Sequence, residues 1–212
     1  MINAADQQWG GRMQDDLIDA VTWAIEQGYA HPGRLGFFGV SYGGYAALTA
    51  ATKTPEKFAC FINVSGPSNL ITFMQAIPPY WHSWFAAIKA RLADPDTEDG
   101  ASWLRERSPL THVEQIIRPM LIVQGLKDVR VRPQESEQIV QRLRDRGVPV
   151  SFVTFDDEGH FFIRQQNRIA LSAVMEAFLA CHLGGAMEPP GDAFVDSSIR
   201  IKFGREFIPG LL

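Results

Sequence analysis

In Leu35-Gly36-Phe37-Phe38-Gly39-Val40-Ser41-Tyr42-Gly43-Gly44-Tyr45-Ala46-Ala47-Leu48 an apolar run gives way to a glycine-flanked serine and then to small residues. Leu35 to Val40 shows no polar alternation, which predicts a strand buried on both faces. Tyr45 to Thr52 predicts a small-residue helix that starts almost at once. Gly39-x-Ser41-x-Gly43 therefore falls where a strand turns into a helix. The pattern alone is weak, because a three-residue match arises by chance in about one chain of this length in fifteen. Its setting gives it meaning. A serine on a strained strand-to-helix corner needs neighbours without Cβ atoms if its Oγ is to project clear of the backbone. The first amides of the helix then lie beside that oxygen, where negative charge would develop during acyl transfer. A glycine-rich turn with a capping serine is the alternative that the pentapeptide by itself leaves open.

Outward from this corner the same alternation repeats. Phe58 to Val64, Met120 to Gln124 and Val150 to Phe155 read as buried strands. Asp15 to Gln27, Pro133 to Arg146 and Arg164 to Leu183 carry apolar residues at helical spacing. Strand and helix in alternation predict an α/β fold, a mostly parallel sheet flanked by helices. Leu70 to Leu110 breaks the rhythm, with Pro78-Pro79-Tyr80-Trp81-His82-Ser83-Trp84-Phe85 inside it, and reads as a helical insertion. The division expected is a catalytic domain over 1–183, with the insertion at about 70–110, and a loosely docked tail over 184–212 punctuated by Gly184-Gly185 and Pro189-Pro190-Gly191.

Composition limits the function. The chain has 212 residues, 46% hydrophobic and 21% charged, the profile of one soluble globular domain. Lys+Arg 20 against Asp+Glu 24 gives a net charge of −4, so no nucleic-acid partner is expected. Cys60 and Cys181 both have apolar neighbours and read as buried small hydrophobes. The first residues show neither a basic start nor an apolar stretch, and no run approaches the roughly 18 apolar residues of a membrane span. A cytoplasmic location is the default expectation. The histidines are scattered, H-E-x-x-H is absent, and Asp94, Asp96 and Asp99 lack the rest of a calcium loop, so neither metal nor cofactor is expected.

A serine hydroxyl attacks poorly until an imidazole takes its proton, and the imidazole needs a carboxylate to fix its tautomer. Asp128 lies just past the strand Met120 to Gln124, and His160 just past the strand Val150 to Phe155. Serine, aspartate, histidine is the chain order of α/β-hydrolases, and loops after parallel strands share one edge of the sheet. His31, His82, His112 and His182 are alternatives to His160, yet only His160 follows a strand. Asp156 and Asp157 compete with Asp128, but their closeness to His160 makes an approach to its far ring nitrogen less natural.

Five segments carry a more specific resemblance: Trp9-Gly10-Gly11-Arg12-Met13-Gln14-Asp15-Asp16, Gly39 to Tyr45, Ser108-Pro109-Leu110, Gly125-Leu126-Lys127-Asp128-Val129-Arg130-Val131 and Asp157-Glu158-Gly159-His160-Phe161. Together they resemble the catalytic domain of the prolyl oligopeptidase family of serine peptidases, in particular its acylaminoacyl-peptidase-like and dipeptidyl-peptidase-like members. The resemblance implies an α/β-hydrolase fold and short peptide substrates. It implies Ser41 as nucleophile, Asp128 as orienting carboxylate, His160 as general base and acid, and the Tyr42 N–H as an oxyanion donor. It also implies that Trp81 and Trp84 line the substrate side-chain pocket, although both would serve equally to pack the insertion onto the sheet. Family members carry further strands, a second oxyanion donor and usually a β-propeller ahead of the nucleophile strand. Here only residues 1–34 precede it, so the expected sheet lacks its N-terminal strands and leaves an open edge. Loss of one oxyanion donor costs roughly 10²–10³ in turnover. Two other functions fit the same residues. One is an inactive fragment whose edge pairs with another copy or with the missing part of the domain, and the other is an esterase on the same three residues.

Overall fold

A computed structural model describes residues 2–211. Four strands lie side by side in chain order and parallel: β1 (Gly36–Val40), β2 (Cys60–Val64), β3 (Met120–Gly125) and β4 (Val150–Phe155). A fifth, β5 (Ile199–Phe203), pairs antiparallel with β4. The parallel strands are separated by α2 (Tyr42–Lys53), by a helical segment after β2, and by α6 (Pro133–Asp145). Parallel neighbours need such crossovers, and the crossovers bring the carboxyl ends of β1 to β4 to a single edge.

β2, β3 and β4 are buried along their whole length. Alternation along each strand sends its side chains to two separate cores. Phe61, Met120, Ile122 and Phe152 pack with Leu48 of α2, with Ile139, Val140 and Leu143 of α6, and with Ile18 and Val21 of α1 (Arg12–Glu26). Ile62, Val64, Leu121, Val123 and Phe155 pack on the other face against Val174, Ala177 and Phe178 of α7 (Gln165–Leu183). A third cluster joins Tyr45 to Leu70, Phe73 and Met74 of α3 (Leu70–Gln75) and to Leu92 and Leu104. It roots the insertion, which continues through a 3₁₀ turn (Pro79–Trp84), α4 (Phe85–Arg91) and α5 (Glu98–Glu106). Asn69 and Thr97 cap α3 and α5, their side-chain oxygens accepting from Ile71 N and Gly100 N.

Three expectations need correction. β1 is the open edge that was expected, but it is not buried on both faces: Phe38 and Val40, in register with Ile62 and Val64, are 52% and 39% exposed because the α7 core on that face does not extend over them. The tail is not loosely docked. Ile199 and Ile201 pair with Phe155 and Val153, and Ile208 and Leu211 are buried in the α7 core. The glycines and prolines that suggested a loose tail sit mainly in the turns that bring it back to the sheet. Gly204, directly after β5 with φ +71°, lies so close to β4 that a Cβ would stand 2.0 Å from Val150 O. Cys60 is buried but Cys181 is exposed, because only one face of α7 meets the sheet. No helix among the described residues is long and apolar enough to cross a membrane.

Candidate active site

The corner at the end of β1 is a tight one. Ser41 N donates to Val64 O of the neighbouring strand (2.9 Å), and Ser41 O accepts from Tyr45 N (3.0 Å) to open α2. Ser41 therefore belongs to sheet and helix at once and holds φ +59°, a left-handed conformation that costs about 1–3 kcal/mol outside glycine. The glycines make the turn possible. A Cβ on Gly39 would stand 2.0 Å from Gly43 O, and one on Gly44 2.3 Å from Asn63 Oδ1. Neither neighbour can retreat without opening the corner. We expect Gly39→Ala to lower stability by at least about 3 kcal/mol, read as a shift of the urea midpoint.

Asp128 and His160 reach the same edge on loops that brace one another. Lys127 N donates to Glu158 O (2.8 Å) and Leu126 N to Phe155 O (3.0 Å). Gly125 allows the approach, since a Cβ there would fall 2.3 Å from Gly159 O. The Asp128 carboxylate is fixed by its own loop, Oδ1 accepting from Arg130 N (2.8 Å) and Val131 N (3.0 Å). Its Oδ2 stands 2.7 Å from His160 Nδ1, and both side chains are buried. With the Nδ1 proton donated to that carboxylate, Nε2 is left as an acceptor, 2.8 Å from Ser41 Oγ. The three residues selected from the sequence thus form one hydrogen-bonded chain. The Tyr42 N–H opens α2, where amides have no acceptor within the helix.

Beside Ser41 and His160 lies a cavity of about 270 Å³. Its walls are mainly apolar, from Trp9, Tyr42, Phe73, Trp81, Leu92 and Val131, with the guanidinium-bearing Arg91 and Arg130 also lining it. Trp9 packs edge-on to Tyr42 at 4.7 Å between ring centroids. Arg130 places its guanidinium 5.6 Å from the Trp81 ring and 5.1 Å from that of Phe161. Burial pushes the Tyr42 phenol up to about 12, so it stays neutral and acts as wall and donor only. Trp84 corrects the expectation for the pair. It is 69% exposed at the junction with α4 and lines no part of the cavity. Trp9 and Phe161 were given no role from the sequence; their place inside the segments that carry the resemblance is the signal that could have found them. Phe73 carried no signal, because nothing local distinguishes it from core.

The competing residues go elsewhere. His112 Nε2 sits 2.7 Å from Glu106 O, His182 packs edge-on to Phe178, and His31 Nδ1 accepts from Gly33 N. The His82 side chain lies outside the described residues. Asp156 accepts from Arg200 Nε (2.5 Å). Asp157 accepts from Ser198 Oγ, from Asn167 Nδ2 (2.8 Å) and from Arg164. These donors, Ser198 first, hold the Asp157 carboxyl down at about 2. A depressed acid stabilises the fold above its ordinary pKa of about 3.9 and loses that contribution as pH falls through about 2. Asp157→Asn should therefore melt below the parent chain at pH 7. The gap should close between about pH 4 and pH 2 in a series of thermal melts.

A parallel sheet with a serine elbow at the end of one strand and histidine and aspartate loops at its carboxyl edge defines an α/β-hydrolase. Within that class the chain belongs to the prolyl oligopeptidase family, whose model matches residues 2–186. It is 49% identical over 209 residues to dipeptidyl aminopeptidase BIII of Pseudoxanthomonas mexicana, covering 99% of this chain and 30% of that protein. It is 40% identical over 203 residues to dipeptidyl peptidase family member 6 of Caenorhabditis elegans, covering 95% and 27%. Among solved structures, a puromycin-hydrolyzing peptidase of Mycobacterium tuberculosis superposes with a TM-score of 0.79 at 30% identity, over 87% of this chain and 27% of that one. The chain thus spans less than a third of the length of these relatives.

Proposed function

We propose that the chain is the catalytic segment of a serine peptidase that hydrolyses short peptides by acyl transfer. The observation that carries this reading is the continuous chain from Ser41 Oγ to His160 Nε2 (2.8 Å) and from His160 Nδ1 to Asp128 Oδ2 (2.7 Å). Ser41 Oγ attacks the scissile carbonyl carbon while its proton passes to His160 Nε2. As the C–N bond breaks, that proton goes to the leaving amine. Water then attacks the acyl-serine, gives a proton to Nε2, and releases the acid as Ser41 regains its proton. Asp128 keeps the imidazole in the tautomer that can accept. The Tyr42 N–H donates to the oxygen as it becomes an anion.

Substrate class is supported by the cavity. Its aromatic and aliphatic walls suit a neutral apolar side chain next to the scissile carbonyl, with Trp81 against it. Arg130, steadied by two rings and with no side-chain hydrogen bond among the described residues, is placed to meet a carbonyl of the substrate backbone. The dipeptidyl aminopeptidase and dipeptidyl peptidase names of the two relatives favour short peptides over other acyl compounds. Turnover of a series of dipeptidyl arylamides against the matching esters tests the reading. Measurable amide hydrolysis that favours apolar residues at the scissile position is expected. Ester turnover with no amide turnover would make the chain an esterase on the same residues.

A further inference from the structure

We infer that the C-terminal segment at Ser197 and Ser198 is a positioning element for His160, acting through the buried side chain of Asn167. The inference rests on the reading of His160 as the general base. His160 sits at the apex of a loop closed by the carboxylate of Glu158, which accepts from Ile163 N (2.9 Å) and Arg164 N (3.0 Å). That carboxylate is itself buried, and it accepts in turn from Asn167 Nδ2 (2.7 Å). Asn167, fully buried in the first turn of α7, also donates to Asp157 (2.8 Å), so its amide nitrogen binds two of the three acids that precede His160, Asp157 and Glu158. Its carbonyl oxygen faces the other way. There it accepts from Ser197 Oγ (2.9 Å) and Ser198 N (3.0 Å).

One amide thus joins Ser197 and Ser198, just ahead of β5, to Asp157 and Glu158 in the loop that carries His160. Ser198 closes the circuit by donating to Asp157 directly. The Ser41 to His160 distance depends on where this loop stands. A displacement of the order of 1 Å costs about 10²-fold in rate, because proton transfer demands a fixed geometry. Substrate meets the cavity walls and not this knot, so binding should be spared.

The test uses the full chain with Ser197→Ala and Ser198→Ala together, and separately with Asn167→Ala. Steady-state constants are measured on a dipeptidyl arylamide, and the downfield imidazole N–H proton resonance of His160 is followed by NMR. Val174→Ala, in the apolar core of the same helix, serves as a matched loss of stability. The inference predicts kcat lower by about 10- to 100-fold with KM within about two-fold, and a broadened or lost imidazole resonance. Val174→Ala should keep both. Should Asn167→Ala fail to fold, the two serines, only half-buried, decide the matter. Unchanged kcat and resonance in the folded double-serine variant, with the parent chain active, would overturn this inference and leave the proposed function standing. A parent chain without turnover would overturn the proposed function and this inference together.

Discussion

Ser41→Ala is expected to abolish peptide hydrolysis and to leave the fold nearly as stable as before. The loss should be on the order of 10⁶ in kcat, since no other group stands where the acyl bond must form. Stability should change little for three reasons. The backbone bonds that fix the corner, Ser41 N to Val64 O and Tyr45 N to Ser41 O, do not involve the side chain. Alanine meets the same left-handed cost as serine at φ +59°. The side-chain bond lost, the one Ser41 Oγ makes among the described residues, to His160 Nε2, is worth only about 0.5–1.5 kcal/mol. Initial rates and a urea titration on the same preparation separate the two effects. Residual turnover above a few per cent of the parent would remove Ser41 from the mechanism.

Asp128→Asn should lower kcat by about 10⁴ with little change in KM. The isosteric amide can still accept from Arg130 N and Val131 N, so the loop should keep its shape. Toward His160, however, an NH₂ would replace the acceptor 2.7 Å from Nδ1. The imidazole must then hold its proton on Nε2, where it can donate to Ser41 Oγ but can no longer take the serine proton. A drop of only a few-fold would mean that another carboxylate orients His160. Asp156 and Asp157 are the sequence neighbours that could do so, yet both side chains are engaged with residues 198–200, Arg164 and Asn167.

The parallel strands β1 to β4 were legible because each is a short apolar run followed by helical periodicity, and Pro133 marks the start of α6. The three residues of the hydrogen-bonded chain were legible for the same reason: their places are set by where strands end. The chemistry-bearing positions are read from local sequence, whereas the walls of the cavity are not. Phe73 and Leu92 come from the insertion, whose path depends on packing against Tyr45 and Trp9. Trp81 and Trp84, three residues apart in one 3₁₀ turn, part company because Arg130 lies against the first ring while the second faces solvent. The tail misled because turn residues dominate its composition. What fixes it is an antiparallel register with β4 and the polar knot around Asn167, both long-range and invisible to a local reading.

The most direct measurement is covalent labelling of the 212-residue chain with a fluorophosphonate, read by mass spectrometry of the intact protein and of its digest, with circular dichroism to establish folding. A fluorophosphonate reacts with a serine whose proton can be taken by a neighbouring base. The account predicts a single adduct, confined to Ser41 and absent from Ser41→Ala. A folded chain that takes up no label, or takes it up at another residue, would contradict it.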